Sequence, residues 1–357
     1  MRLALIEARK GEFQTWPNPW VGAVLVKGGK VLGRGWHRGA GLPHAETEAL
    51  RAAGKKARGA TLYVSLEPCA HYGRTPPCAV AVVEAGVKRV VAACPDANPK
   101  ALGGLDYLRK HKVQVGPFVL REEAEALNRY FLHSVRAQRP WFTLKAAASL
   151  DGRTATSRGE SQWITGPQAR ADSRALRGRC DAVLVGAGTV ARDQPRLMPD
   201  NRDAFVPWRL ILDPRGQLKG NESVFCDDFA HRTIWFSGLA SFQRALEASR
   251  HGGAQVEPLH SGGLTGAAQS ALEWMRAHEL RRVMVEGGAA TLGSFLGLGL
   301  GDELVLYLAP KVEGSGKGLP VFLALQERGL QDWSKLRIAD VGMVGQDLRI
   351  HGFFDRS

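Results

Sequence analysis

A chain of 357 residues, 44% hydrophobic and 23% charged, is long enough for two ordinary domains and has the composition of a globular protein, not a disordered or fibrous one. No run approaches the roughly 18 uninterrupted apolar residues of a membrane span, and the opening Met-Arg-Leu-Ala-Leu-Ile-Glu meets an acid too early for a signal peptide. Five cysteines without paired spacing argue against a disulfide framework, so a cytoplasmic protein with no membrane partner is expected. The net charge of +13 lies mostly in residues 1–140, where bases outnumber acids two to one. Nucleic acid, a phosphorylated small substrate and a solvated basic face are the readings it leaves open.

In chain order, Val21 to Trp36 reads as a hairpin, with Val21-Gly22-Ala23-Val24-Leu25-Val26, a Lys-Gly-Gly-Lys turn and Val31-Leu32 onward. His44 to about Ala53 has apolar residues at Ala45, Ala49, Leu50 and Ala53, a helical period. Thr61 to Leu66 is a short strand, and Cys78 opens a second helix that Gly86 closes. Arg89-Val90-Val91-Ala92 is another strand. Gln138-Arg139-Pro140 marks a boundary, after which Trp141 to Lys145 begins a new strand and the alternation restarts. Asp181 to Val185, Arg209 to Leu212 and Arg282 to Val285 are further strands, and Glu303 to Ala309 and Leu348 to Phe354 close the series. Alternating strands and helices predict α/β layers in both halves, and neither a repeat nor a low-complexity tract interrupts them.

The residues with the most chemistry are His44-Ala45-Glu46, Pro68-Cys69 and Cys78. One histidine and two cysteines are three ligands suited to a zinc ion whose fourth position stays open. His-x-Glu followed by Pro-Cys and a second cysteine is the pattern of zinc nucleobase deaminases, in which the glutamate moves protons and is not a ligand. Glu46 is therefore the expected acid–base residue, and His44, Cys69 and Cys78 the expected ligands. Here nine positions separate the cysteines, where the RNA-editing deaminases have three. A structural zinc site would want a fourth protein ligand, for which His71 is awkwardly placed.

In the second half, Gly186-Ala187-Gly188-Thr189-Val190-Ala191 follows a strand as GxGxxA, with Asp213 at about the distance of a ribose-binding acid. Glu286-Gly287-Gly288 after another strand offers backbone amides that could cradle phosphate. Two such turns suggest a dinucleotide without distinguishing a Rossmann sheet from other α/β folds.

Longer segments carry a resemblance. Pro17-Asn18-Pro19, Pro43-His44-Ala45-Glu46 and Leu66 to Cys78 resemble the deaminase domain of the RibD family of bifunctional riboflavin-biosynthesis proteins. Lys145 to Thr154, Gly159 to Thr165, Gly188-Thr189-Val190 to Asp193-Gln194-Pro195-Arg196-Leu197 and Val285 to Gly288 are similar to that family's reductase domain. The resemblance implies a cytidine-deaminase-like α/β/α domain over 1–139 and a dihydrofolate-reductase-like α/β domain over 140–357. It also implies zinc in the first and NADPH in the second. Asn18 and His71 would contact the pyrimidine, and the loop Gly73-Arg74-Thr75 would shape its pocket. Ala147, Trp163, Thr189, Asp193 and the run Gly288, Ala289, Ala290, Thr291, Leu292, Gly293 and Ser294 would meet the cofactor. Ser161, Arg177, Leu197 and Glu286 would line the substrate, Arg177 being the natural partner of a phosphate.

The chain departs from the family at several places. Ala70-His71-Tyr72 stands for Ser-His-His, and Pro95-Asp96-Ala97-Asn98-Pro99 for Pro-Asp-Pro-Asn-Pro. Asp200 stands where the family has a basic substrate contact, for which Arg196 or Arg202 would substitute. Asp151 and Asp193 are the candidate proton donors for the reduction. The expectation is a zinc-dependent deaminase joined to an NADPH-dependent reductase, acting on a phosphorylated pyrimidine ribosyl substrate as a homo-oligomer without nucleic acid. Two alternatives stay open: a zinc deaminase of RNA or DNA bases with an accessory second half, and a scaffold with a structural zinc.

Overall fold

In a computed structural model of the chain, the structure describes residues 1–12, 14–72, 76–201, 205–250, 252–260, 262–323 and 329–355. It divides into two compact units, Met1–Gln138 and Arg139–Ser357. No helix among the described residues is long and apolar enough to cross a membrane.

The first unit runs α1 (Arg2–Arg9), β1 (Gly22–Lys27), β2 (Lys30–Trp36), α2 (Ala45–Ala53), β3 (Thr61–Val64), α3 (Cys78–Glu84), β4 (Arg89–Ala92), α4 (Gly104–Lys110), β5 (Gln114–Val115), α5 (Arg121–Leu127) and α6 (Arg129–Ala137). Its five strands lie in the order β2-β1-β3-β4-β5, with β1 antiparallel to both neighbours and the remaining pairs parallel. The expected hairpin, helix and strands are present. β3 ends before Ser65, whose hydroxyl accepts the Gly22 N–H at 3.0 Å and takes over the ladder. Ala45, Ala49 and Ala53 form the buried stripe of α2. Opposite them on β2 stand Gly33 and Gly35, where a side chain would come within 2.3 Å of the Ala49 and Ala45 carbonyls. Small residues on both sides thus bring α2, and the His44 that precedes it, close onto the sheet.

The second unit runs β6 (Trp141–Ser149), β7 (Arg153–Ala155), α7 (Pro167–Arg177), β8 (Ala182–Gly186), α8 (Ala187–Asp193), β9 (Trp208–Asp213), α9 (Ser223–Cys226), β10 (Thr233–Gly238), α10 (Phe242–Ser249), β11 (Gln255–Leu259), α11 (Gly263–Ala277), β12 (Arg282–Val285), α12 (Ala289–Gly297), β13 (Gly301–Ala309), β14 (Leu319–Pro320), β15 (Leu336–Val344) and β16 (Asp347–Phe354). Nine strands form one sheet in the order β11-β10-β9-β8-β12-β6-β13-β16-β15, parallel from β11 to β13 and antiparallel beyond it. Every residue of β8 and β12 is buried, as expected of parallel strands covered on both faces. β12 lies between β6 and β8, so the strand order reverses there. Open α/β sheets place ligands at the carboxyl ends of strands beside such a point.

Candidate active sites

The first site is built where two helices begin. His44 caps α2 and Cys78 opens α3. The His44 Nδ1 lies 3.1 Å from Cys78 Sγ and 3.5 Å from Cys69 Sγ, and the three candidate ligand atoms lie within 4.8 Å of one another. Cys69 sits in the turn after β3, and its sulfur accepts the Cys78 backbone N–H at 3.4 Å. That turn is anchored by α4: the Glu67 carboxylate accepts the Leu105 N–H at 3.1 Å, and Gly104 packs directly on the Pro68 carbonyl. The hydrogen bond with Cys78 pulls the Cys69 thiol well below its ordinary value, helped by His44 and against burial, while Cys78 moves the opposite way. One sulfur thus favours the thiolate before any cation is bound. Three converging soft donors, one disposed to be anionic, fit a zinc ion with a free position.

Glu46, in the first turn of α2, is 3% exposed, and burial pushes its carboxyl up to about 7 against the pull of His44. A carboxyl poised near neutrality can both take and give a proton. Asn18 Nδ2 is 2.9 Å from His37 Nε2, and His37 Nδ1 is 3.2 Å from the Pro43 carbonyl. The carbonyl can only accept, so Nδ1 carries the proton and Nε2 accepts from Asn18. Burial lowers the His37 pKa, which keeps this neutral form. His37 was not expected from the sequence. It packs edge-on against His44 at 5.2 Å and so ties Asn18 to the ligand set. The Nδ1 of His71 is buried without a hydrogen-bond partner among the described residues. Asp96 is also buried, and burial raises its carboxyl to about 6. Gly73, Arg74 and Thr75 lie outside the described residues.

The second site is a cavity of about 1270 Å³ over the carboxyl ends of β6, β8 and β12. Ala147, Ser161, Trp163, Arg177, Thr189, Asp193, Leu197, Glu286 and Gly288 to Leu292 all line it. Gly293 and Ser294 lie further along α12, outside the lining. A side chain on Gly293 would meet the Leu323 carbonyl at 2.0 Å, and the Ser294 hydroxyl donates to Ala290 O at 2.9 Å. Ser161 Oγ donates to Asp193 Oδ1 at 3.3 Å.

Arg177 grips Glu286 with two bonds, Nε to Oε1 at 2.6 Å and Nη2 to Oε2 at 2.9 Å, and reaches the Met198 carbonyl at 3.1 Å. Burial would raise Glu286, yet Arg177 and Lys145 hold its carboxyl below the ordinary value. Lys145, quoted in the sequence only as part of a motif, lines the same cavity, and burial lowers its pKa despite Glu286. Its place on the strand gave no signal, since a lysine in a strand is ordinarily a solvated residue.

Asp151 stands outside the lining. The Gly314 N–H, the Ser149 hydroxyl and the Glu313 N–H hold its carboxyl well below the usual range, so it stays ionised and is not placed as a proton donor. Asp213 is fully buried, its carboxylate accepting Gln217 N–H at 2.7 Å, Leu218 N–H at 3.1 Å and Trp235 Nε1–H at 3.3 Å. It does not line the cavity, whereas Arg215 in the same turn does. Arg196 lines the cavity too, Asp200 pairs with Arg174, and Arg202 lies outside the described residues.

A profile of the RibD C-terminal domain matches residues 140–349, and one of the cytidine and deoxycytidylate deaminase zinc-binding region matches 1–94. The riboflavin biosynthesis protein RibD of Escherichia coli is 40% identical over 98% of this chain and 97% of its own length. The chain belongs to the RibD family. RibD of Aquifex aeolicus is 41% identical, covering 100% of this chain and 97% of the relative. Among solved structures, RibD of Acinetobacter baumannii superposes with a TM-score of 0.88 at 35% identity, over 99% of this chain and 97% of the other. RibD membership accounts for both fold classes, a cytidine-deaminase-like front domain and a reductase domain of mixed sheet.

Proposed function

We propose that the two sites act in sequence on one phosphorylated pyrimidine, as befits a bifunctional deaminase and reductase of riboflavin biosynthesis. The convergence of His44, Cys69 and Cys78 beside buried Glu46 carries the reading. His44, Cys69 and Cys78 would hold a zinc ion, which would supply the Lewis acidity that activates water near neutral pH. Glu46 takes one proton of the attacking water and delivers it to the ring nitrogen, then takes the second from the added hydroxyl and delivers it to the leaving amine, so that a carbonyl oxygen replaces the 2-amino group and ammonia departs. Asn18, oriented by His37, and His71, with its free Nδ1, hold the pyrimidine edge.

In the second cavity NADPH would supply the hydride for reduction of the ribosyl chain. Thr189 and the amides that begin α12 at Gly288 lie where a helix start receives phosphate. With Asp213 withdrawn into its own turn, Arg215 is free to accommodate a 2′-phosphate, which favours NADPH over NADH. Arg177 and Glu286 orient the pyrimidine portion, and Asp193 with Ser161 is placed to relay the proton. The protein works in the cytoplasm as a homo-oligomer. Ile338, Val341 and Met343, exposed on edge strand β15, are the surface a second copy would cover.

The test incubates zinc-loaded protein with 2,5-diamino-6-(5-phosphoribosylamino)pyrimidin-4-one and NADPH, following ammonia and reduced nicotinamide together. Ammonia release followed by NADPH oxidation is expected. Neither signal from folded, zinc-loaded protein would overturn the reading, and tight, steeply salt-dependent RNA binding would favour the nucleic-acid deaminase instead.

A further inference from the structure

Three arginines of α7, Arg170, Arg174 and Arg177, follow at intervals of four and three residues and so share one face of the helix. All three line the second cavity. Two are committed to the protein. Arg170 donates to the Thr165 carbonyl at 2.6 Å and lies 4.5 Å over the Trp163 ring, and Arg177 is forked onto Glu286. Arg174 is different. Its Nε donates to both carboxylate oxygens of Asp200 at 2.7 Å, and neither of its Nη atoms bonds to a described residue. The two side chains are 35% and 59% exposed, so the pair is solvent-screened and weak.

We propose that Arg174 is the anchor for the substrate's phosphate in the reductase site, and that Asp200 is an exchangeable stand-in that holds the guanidinium until the phosphate arrives. This rests on the reading of the cavity as the reductase site. Arg177 is engaged through its fork and Arg170 is held by the Thr165 carbonyl and the Trp163 ring, so Arg174, whose Nη atoms bond to no described residue, is the α7 arginine best able to turn its N–H donors to an incoming anion. A phosphate dianion carries more charge than the Asp200 carboxylate and binds a guanidinium bidentately. Asp200 is a like charge that the phosphate must displace, and it tunes affinity downward at this position.

The experiment measures reduction of 5-amino-6-(5-phosphoribosylamino)uracil by NADPH, alongside its dephosphorylated analogue, in wild type, Arg174→Gln and Asp200→Asn. Circular dichroism confirms that each variant is folded. Arg174→Gln is expected to raise KM for the phosphorylated substrate about tenfold or more, the change falling on KM rather than kcat, and to leave the analogue's KM unmoved. Asp200→Asn is expected to lower KM for the phosphorylated substrate alone. A wild-type protein that reduces normally, with Arg174→Gln leaving KM unchanged or moving both substrates equally, overturns the anchor and leaves the reductase reading standing. A rise in KM on Asp200→Asn overturns the exchange. A wild type that reduces neither substrate refutes the reductase reading itself.

Discussion

Gly104→Ala tests whether the first turn of α4 holds a metal ligand in place. A Cβ on Gly104 would sit 1.7 Å from the Pro68 carbonyl oxygen and 2.8 Å from its carbon. Side-chain carbons do not approach oxygen closer than about 3.0 Å, so the Pro68 turn and α4 must separate by at least about 1.3 Å. If Pro68 moves, it carries Cys69 with it, and zinc sites tolerate only about 0.2 Å in ligand distance. If α4 moves, the bond from Leu105 N–H to Glu67, 3.1 Å long, is lost and the same turn is released. Overpacking of this kind costs about 1–3 kcal/mol, which corresponds to about a 5- to 150-fold loss of zinc affinity if it falls on the bound geometry. The assay is chelator competition for zinc, with ammonia release measured at saturating metal and the reductase step of the same preparation as the folding control. Wild-type zinc affinity and deamination in Gly104→Ala would refute the claim that α4 positions Cys69.

Glu46→Gln keeps size and hydrogen bonding but cannot shuttle a proton. Ammonia release should fall about 10²- to 10⁴-fold while elemental analysis finds zinc retained and the uracil is still reduced; loss of zinc instead would make Glu46 a structural partner of the ligands. Glu303 should dominate the acid limb of stability in the second unit. Burial would raise its carboxyl, but Arg282 and hydrogen bonds from His351, Thr143 and Trp141 bring it down to about 2. Because the folded value lies below the unfolded one, its stabilisation is complete above the ordinary glutamate range and is lost as pH falls from about 4.5 toward about 2. Glu303→Gln should therefore cost about 3 kcal/mol at neutral pH and flatten denaturant midpoints across that window; a variant whose midpoints keep the wild-type pH slope would show that Glu303 is not the titrating group.

What could be read directly from the residues is what is local in sequence. His44, Glu46, Cys69 and Cys78 announce themselves because metal chemistry requires particular side chains at particular spacings. The Ala45, Ala49, Ala53 period predicts α2 because a helix needs one small face against the sheet. Residues that act through a distant partner carry no such mark. Asp213 has the spacing of a ribose acid, yet its carboxylate satisfies the Gln217 and Leu218 amides of its own turn, the local competition to which aspartate is prone. Arg177 reads as a phosphate ligand until β12 brings Glu286 to it, and nothing in the sequence singles out Arg174 before its pairing with Asp200 is seen. His37 and Gly104 illustrate the same divide in the first unit: each acts through a contact with a residue of a motif, and that contact is visible only in the fold. The motif therefore determines which atoms can bind, whereas long-range packing determines where those atoms stand. A change such as Gly104→Ala, which leaves every ligand in place chemically, is for that reason a sharper probe of this fold than removal of a ligand.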